Sequence, residues 1–160
     1  MSPRPAAVRG RQLIAPAGLF LSLVLAGCSV LTTTAPAPTP ADFQGIASEI
    51  AKRGIRLDRL VSGDAGCDDP VLGPTAISFD ASGFDQDETA RLYLYIFRNR
   101  DSFNRLRSSI DECARSYVSD PATFESIESS PFVLAGQGPW GAEFEGLLRD
   151  ALTEASGTGN

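Results

Sequence analysis

The residues best placed to do chemistry are three aspartates in one loop, Asp64, Asp68 and Asp69. Clustered carboxylates can bind calcium, or act as the acid and base of a glycoside hydrolase. The spacing lacks the alternating oxygen ligands of a calcium loop, and nothing in the sequence fixes the distance between two carboxyl groups. We therefore expect solvated loop acids, with no metal site and no cofactor. A carboxylate-dependent hydrolase that uses this loop is retained as an alternative function.

Histidine does not occur anywhere in the sequence. Without it the chain cannot build a Ser-His-Asp or Cys-His nucleophile system, or a zinc site with histidine ligands. No other pairing of a nucleophile with a base is visible. The absence argues against an enzyme and favours a binding or interaction module.

The N-terminal segment has the features of an export signal. Three arginines and no acidic residue accompany an apolar run over residues 13–25. The run is shorter than the roughly 20 residues that a membrane-spanning helix needs. It ends in Leu25-Ala26-Gly27-Cys28, which resembles the lipobox of bacterial lipoproteins.

The lipobox resemblance implies that a dedicated peptidase cuts before Cys28 and that the Cys28 sulfur carries a diacylglycerol. Two or more buried acyl chains hold a protein firmly to a bilayer. The resemblance thus implies a lipid-anchored protein on the extracytoplasmic face of the cell membrane, or at the outer membrane where the envelope has two. It covers only the N-terminal segment and does not identify the function of the rest of the chain.

The chain divides into four regions. Residues 1–27 are a predicted signal peptide, and residues 28–41 hold the lipidated cysteine and a linker rich in Thr, Pro and Ala. Alternating prolines favour an extended, semi-rigid linker. Residues 42–156 form one predicted domain, and residues 157–160 are a predicted flexible tail.

Two cysteines, Cys67 and Cys113, remain in the predicted domain as an even pair. In an oxidising compartment such a pair favours a structural disulfide. Asp68 and Asp69 follow Cys67, and negative neighbours raise the pKa of a thiol, which disfavours a reactive cysteine. Two free thiols are the alternative.

The charge balance excludes one class of partner. The sequence has 14 Lys and Arg against 20 Asp and Glu, a formal charge of −6. Nucleic-acid binding depends on a basic face that neutralises phosphates. We therefore expect no nucleic acid among the partners.

Residue patterns predict an α+β domain with the element order α-β-β-β-α-β-α. The expected sheet is small, mixed or antiparallel, with about four strands and a cover of helices. Residues 92–97 are apolar and aromatic enough for a central strand. Residues 70–83 are predicted as strand, although a helix is an alternative that Gly73 and Pro74 disfavour. Asp101 is the expected cap of a helix that runs to Tyr117, and Trp140 lies in the last predicted helix.

Tyr93 and Tyr95 project from one face of the predicted central strand because side chains alternate along a strand. Together with Arg91 and Trp140 they are a candidate ligand or partner surface, since these residue types are favoured in binding hot spots. The alternative is that both tyrosines pack beneath a helix with their hydroxyls at its margin.

The sequence therefore predicts a membrane-anchored lipoprotein whose domain binds an unidentified envelope protein or small ligand. Besides the hydrolase alternative, a passive structural accessory protein of the cell envelope remains open.

Overall fold

The computed structural model describes residues 40–157. The predicted signal peptide, Cys28 and nearly all of the linker lie outside the described residues. No helix within residues 40–157 is long and apolar enough to cross a membrane. The described elements are, in order, α1 (Pro40–Lys52), β1 (Arg56–Ser62), β2 (Ala76–Gly83), β3 (Gln86–Ile96), α2 (Arg100–Ala114), β4 (Phe124–Ser129), β5 (Phe132–Gln137) and α3 (Ala142–Ser156).

The strands form one five-stranded sheet in the order β1-β2-β3-β5-β4. Every neighbouring pair is antiparallel. The α+β class and the central place of the 92–97 run are confirmed. Of the strand predicted over residues 70–83, only Ala76–Gly83 is strand, whereas residues 70–72 are a turn and Gly73–Thr75 is a short 3-10 helix.

The predicted number of strands was one too low, because β4 was not recognised. Its six residues contain only two large apolar side chains, Phe124 and Ile127, and only Ile127 is fully buried. An edge strand that rests on one neighbour needs little apolar surface, so its sequence pattern is weak. The observed order is α-β-β-β-α-β-β-α.

One face of the sheet packs against α1 and α3. The strand residues that point to this side are aliphatic, and Leu92, Leu94 and Ile96 form the row from β3. They meet the apolar stripes of both helices in one continuous core. The helix residues in this core are Phe43, Ile46 and Ile50 of α1 and Phe144, Leu148, Ala151 and Leu152 of α3.

The opposite face packs against α2 and the loop of residues 63–75. Tyr95 of β3 and Phe97, which follows β3, share a core with Ile110 of α2, and the loop adds Ala65 and Leu72 to the same core. A disulfide joins Cys67 in the loop to Cys113 in α2, with a Cα–Cα distance of 5.4 Å. The loop is thus fastened covalently to the helix that it borders.

Three helix boundaries differ from the predictions. The N-cap of α2 is Asn99, whose side-chain oxygen accepts the Ser102 N–H at 2.8 Å, whereas Asp101 lies in the first turn. The helix ends at Ala114 rather than Tyr117. Trp140 precedes α3, which begins at Ala142. Asn and Asp cap helices almost equally well, so the sequence alone did not distinguish the two positions.

The disulfide closes a loop between residues separated by 46 positions. We expect the double variant Cys67→Ala/Cys113→Ala to lose on the order of 4 kcal/mol of unfolding free energy, because the unfolded chain is no longer cross-linked. Urea unfolding followed by the fluorescence of Trp140, the one tryptophan of the chain, measures this loss.

A reducing agent serves as the control for that measurement. It should destabilise the wild-type domain to a similar extent and leave the double variant unchanged. Equal unfolding midpoints of the two proteins without reductant would contradict the expected contribution of the bond.

Candidate functional site

An ionic network lies on the sheet face that also carries Tyr93 and Tyr95. Ser78 and Asp80 of β2 are the only buried polar or charged side chains among residues 43–157. The Arg91 guanidinium donates to Asp80 Oδ1 at 3.1 Å and to Asp64 Oδ2 at 3.2 Å. It also donates to the carbonyl oxygen of Arg59 at 3.0 Å and to Ser78 Oγ. One side chain of β3 therefore connects β1, β2 and the loop of residues 63–75.

Asp80 also interacts with a second arginine: the Arg59 guanidinium forms an ion pair with Asp80 Oδ2. Asp80 lies directly opposite Asp58 in the β1–β2 register. Like charges opposite one another destabilise a sheet, and here the two guanidinium groups compensate the charge of Asp80. Arg59 has a positive φ of 48° at the point where the register of β1 shifts.

The ionisation of Asp64 follows from its partners. Burial alone would raise its pKa, but hydrogen bonds from Ser78 and Gly66 and the Arg91 guanidinium outweigh burial, so that the pKa is lowered. The Ser78 hydroxyl donates to Asp64 Oδ2 at 2.6 Å and the Gly66 N–H donates to Oδ1 at 2.9 Å. Asp64 is therefore a stable carboxylate and not a proton donor at neutral pH.

The other two loop aspartates do not converge with Asp64. Asp69 Oδ1 accepts the N–H groups of Val71 and Leu72 at 2.7 and 3.0 Å, which is a turn-capping role. Asp68 is exposed. Within the part of the chain that the structure describes, no group of three or more acidic or cysteine side chains is arranged to hold a metal ion.

Tyr93 and Tyr95 are buried in the core between the sheet and α2, and the Tyr95 hydroxyl lies inside this core rather than at its margin. Tyr95 is fully buried, and its hydroxyl donates to the carbonyl oxygen of Ala65 at 2.8 Å. Tyr93 is 9% exposed, and the centroid of its ring lies 4.2 Å from the centroid of the Tyr117 ring. Burial raises the pKa of Tyr95, and it raises the pKa of Tyr117 to about 12.

Gly66 is required where the loop passes over these rings. Its φ is +78°, and a Cβ atom there would lie 2.4 Å from the Tyr117 ring and 2.8 Å from the Tyr93 ring. Only glycine fits this position without a shift of the rings. The close approach brings Gly66 and Cys67 over the tyrosines.

Trp140 lies on the other side of the sheet. It is 7% exposed, belongs to the core of α1 and α3, and donates its indole N–H to the carbonyl oxygen of Gln137 at 3.0 Å. Arg91 belongs to the ionic network. The four residues of the candidate surface therefore do not form one exposed patch.

Asp85 has a structural role that the sequence did not reveal. It lies in the β2–β3 hairpin, and its carboxylate accepts the N–H groups of Glu143 and Phe144, each at 2.9 Å. These hydrogen bonds lower the pKa of Asp85. The N-cap of α3 is Gly141, which has no side chain of its own to cap the helix. The glycine at the N-cap position indicates that another residue must cap α3, but the sequence does not identify that residue.

Two recesses among residues 43–157 bear on binding. A polar cleft of about 410 Å³ adjoins the disulfide and the ionic network, and its lining includes Asp64, Asp68, Tyr93 and Ser116. An open groove of about 1090 Å³ runs between α1 and the edge strand β1. The cleft combines two carboxylates with hydroxyl-bearing side chains, whereas the groove is lined mostly by small residues from α1 and by both apolar and charged residues from β1.

No family model, curated protein or solved structure matches this chain. The function is therefore inferred from the residues of the chain itself.

The ionic network gives a test of Asp80, whose side chain is 3% exposed. We expect Asp80→Asn to lower the unfolding free energy by roughly 2–3 kcal/mol, because Arg91 and Arg59 lose a charged partner inside the fold. Urea unfolding followed by Trp140 fluorescence is the measurement.

Asp111→Asn is the matched control for this test. Asp111 is an exposed carboxylate that pairs with Arg107 in α2, and its replacement should change the unfolding free energy by less than about 0.5 kcal/mol. Similar losses in the two variants would show that the network does not contribute more than an ordinary surface ion pair.

Proposed function

We propose that this chain is an exported bacterial lipoprotein that is acylated at Cys28 and held at the extracytoplasmic face of the cell membrane. The lipobox-like Leu25-Ala26-Gly27-Cys28 after a short apolar run supports this proposal. The Cys67–Cys113 disulfide in the domain is in keeping with an oxidising compartment.

We further propose that the domain is a binding module and that the polar cleft is its ligand site. The observation that carries this proposal is the rigid support of the cleft. Cys67 forms a disulfide with Cys113 of α2, and Asp64 forms an ion pair with Arg91. Cys67 and Asp64 both line the cleft. A pre-organised site loses less conformational entropy on binding than a mobile loop does.

The chemistry of the cleft indicates a polar ligand. Asp64 is held as a carboxylate, and Asp68 adds a second exposed acid. Carboxylates and hydroxyls accept hydrogen bonds from hydroxyl or amine groups. We therefore propose a ligand or partner segment that presents such donors, and no nucleic acid.

The hydrolase alternative lacks support in the aspartate loop. A glycosidase of the usual kind needs one carboxylic acid with a raised pKa facing a second carboxylate. The pKa of Asp64 is lowered, and Asp69 is occupied by two backbone N–H groups.

The lipid anchor is tested by the intact mass of the full chain extracted from bacterial membranes. We expect the mature protein to begin at Cys28 and to carry acyl chains. Cys28→Ser should remain unprocessed, because serine has no thiol to acylate, whereas the neighbouring variant Ser29→Ala should be processed normally. A wild-type protein that begins at Met1, or that has an unmodified Cys28, would refute the proposal.

The binding site is tested by a photo-crosslinking amino acid at position 68 of the full chain in intact cells. We expect a defined adduct, with a mass identifiable by spectrometry, because position 68 lines the cleft. The same residue at position 108, which is exposed on α2, is the control and should give none. No adduct at position 68 in a chain that retains its disulfide would contradict the binding proposal and favour a passive structural protein.

A further inference from the structure

The strand β1 forms one edge of the sheet, and its free side has no strand beside it within residues 40–157. Its first three residues pair regularly with β2, through Arg56 with Ser82, Leu57 with Ala81 and Asp58 with Asp80. The register shifts after Asp58. The regular part of the edge is therefore short and begins at Arg56.

The open groove of about 1090 Å³ lies along this edge. Its α1 wall consists of Gln44, Ala47, Ser48 and Ala51, which share one face of the helix and are mostly small. Leu57 contributes from β1 and packs partly against the α1 and α3 core. Small side chains on an exposed helix face allow a second helix to approach closely.

The charges of the regular edge are available to a partner. Arg56 is exposed and forms no ion pair with the residues that the structure describes. Asp58 is also exposed, and its Oδ1 accepts the N–H of the adjacent Arg59 at 2.7 Å. Arg56 and Asp58 are the neighbours of Leu57 in β1. Because side chains alternate along a strand, both point to one face of the sheet and Leu57 points to the other.

This pattern is complementary to itself. A two-fold axis perpendicular to the sheet exchanges the two subunits but not the two faces of the sheet. Residues directly opposite one another across the interface must therefore point to the same face. An axis at Arg56 would place two arginines opposite each other, and an axis at Asp58 would place two aspartates opposite each other. An axis at Leu57 places Arg56 opposite Asp58 of the partner subunit, and this pair occurs twice.

We propose that two copies of this chain form a closed dimer by antiparallel pairing of β1 about a two-fold axis at Leu57. Leu57 meets its counterpart on the α1 side, where the small residues of both α1 helices face each other across the groove. The two Arg56–Asp58 pairs form on the opposite side. The proposal does not depend on lipid attachment or on the ligand cleft.

The irregularity after Asp58 makes this contact self-limiting. The positive φ of Arg59 turns the chain away from regular strand geometry, so longer edge pairing is blocked. Because the interface is the same patch on both subunits, the dimer closes and does not propagate into a fibre.

The variant Leu57→Cys tests the axis in the full chain, produced in cells and kept in its membranes. Directly opposite residues of antiparallel strands have Cβ atoms about 4.5–5.5 Å apart, within reach of a short bifunctional thiol reagent. We expect a covalent dimer on non-reducing gels, at a yield roughly tenfold above that of Ser108→Cys on the exposed face of α2. The wild-type chain controls for crosslinking through Cys28.

Charge variants in the Leu57→Cys background test the register. Arg56→Glu and Asp58→Arg each convert two attractive pairs into repulsive ones, and each should lower the dimer yield roughly tenfold. The combined swap restores opposite charges at both pairs and should restore the yield. Both side chains are exposed, so these variants should retain the fold, as shown by an intact Cys67–Cys113 bond.

Three results would overturn the proposal. The first is no self-crosslinking at position 57 in a chain with its disulfide intact. The second is crosslinking at position 57 only to a different protein, which would assign the edge to a heterologous strand. The third is a yield at position 57 that the single charge variants do not change, or that the combined swap does not restore.

Discussion

The fold depends on how the Arg91 guanidinium is shared. This one group contacts a buried carboxylate of β2, a carboxylate of the 63–75 loop and a backbone carbonyl of β1. Asp80 and Asp58 lie opposite each other where β1 and β2 pair, and Arg91 and Arg59 compensate the charge of the buried Asp80 at this point. Removing one partner of such a network leaves another charged group without compensation, and the geometry of the whole region is therefore fixed together.

The consequences of this network extend to the other side of the loop. Asp64 accepts hydrogen bonds from Ser78, Gly66 and Arg91. The bond from the Gly66 N–H fixes the position of the residue directly before Cys67. Gly66 then passes over the tyrosine rings at a distance that no other residue type allows. The disulfide, the buried tyrosines and the polar cleft are thus placed by one continuous set of contacts rather than by independent features.

The sequence predicted those parts of the fold whose information is local. The run at residues 92–97 is apolar on one side and aromatic on the other, and such a strand is stable only in the middle of a covered sheet. The even pair of cysteines likewise predicted its own partner, given only an oxidising compartment. β4 was not predicted, because it has a single fully buried side chain, Ile127. The local sequence pattern of such an edge strand does not differ from that of a polar loop.

The candidate site was less predictable, since its contacts join residues that are distant in sequence. The aspartates of the loop were identified by type, but the pairing of Asp64 with Arg91 depends on strand register that no local pattern encodes. Asp85 shows the same limit, because it caps a helix that begins more than fifty residues later. Residue types could be read from the chain, whereas the partners that set their ionisation could not.

The helices α1 and α3, the first and last elements of the domain, both cover the same face of the sheet. The face with the cleft is therefore covered by a helix from the middle of the chain. A fluorophore, affinity tag or surface attachment joined directly to the start of α1 or to the end of α3 would meet the domain on the side of the sheet opposite the cleft. An immobilised domain attached in this way should consequently leave the cleft unobstructed for ligand screening.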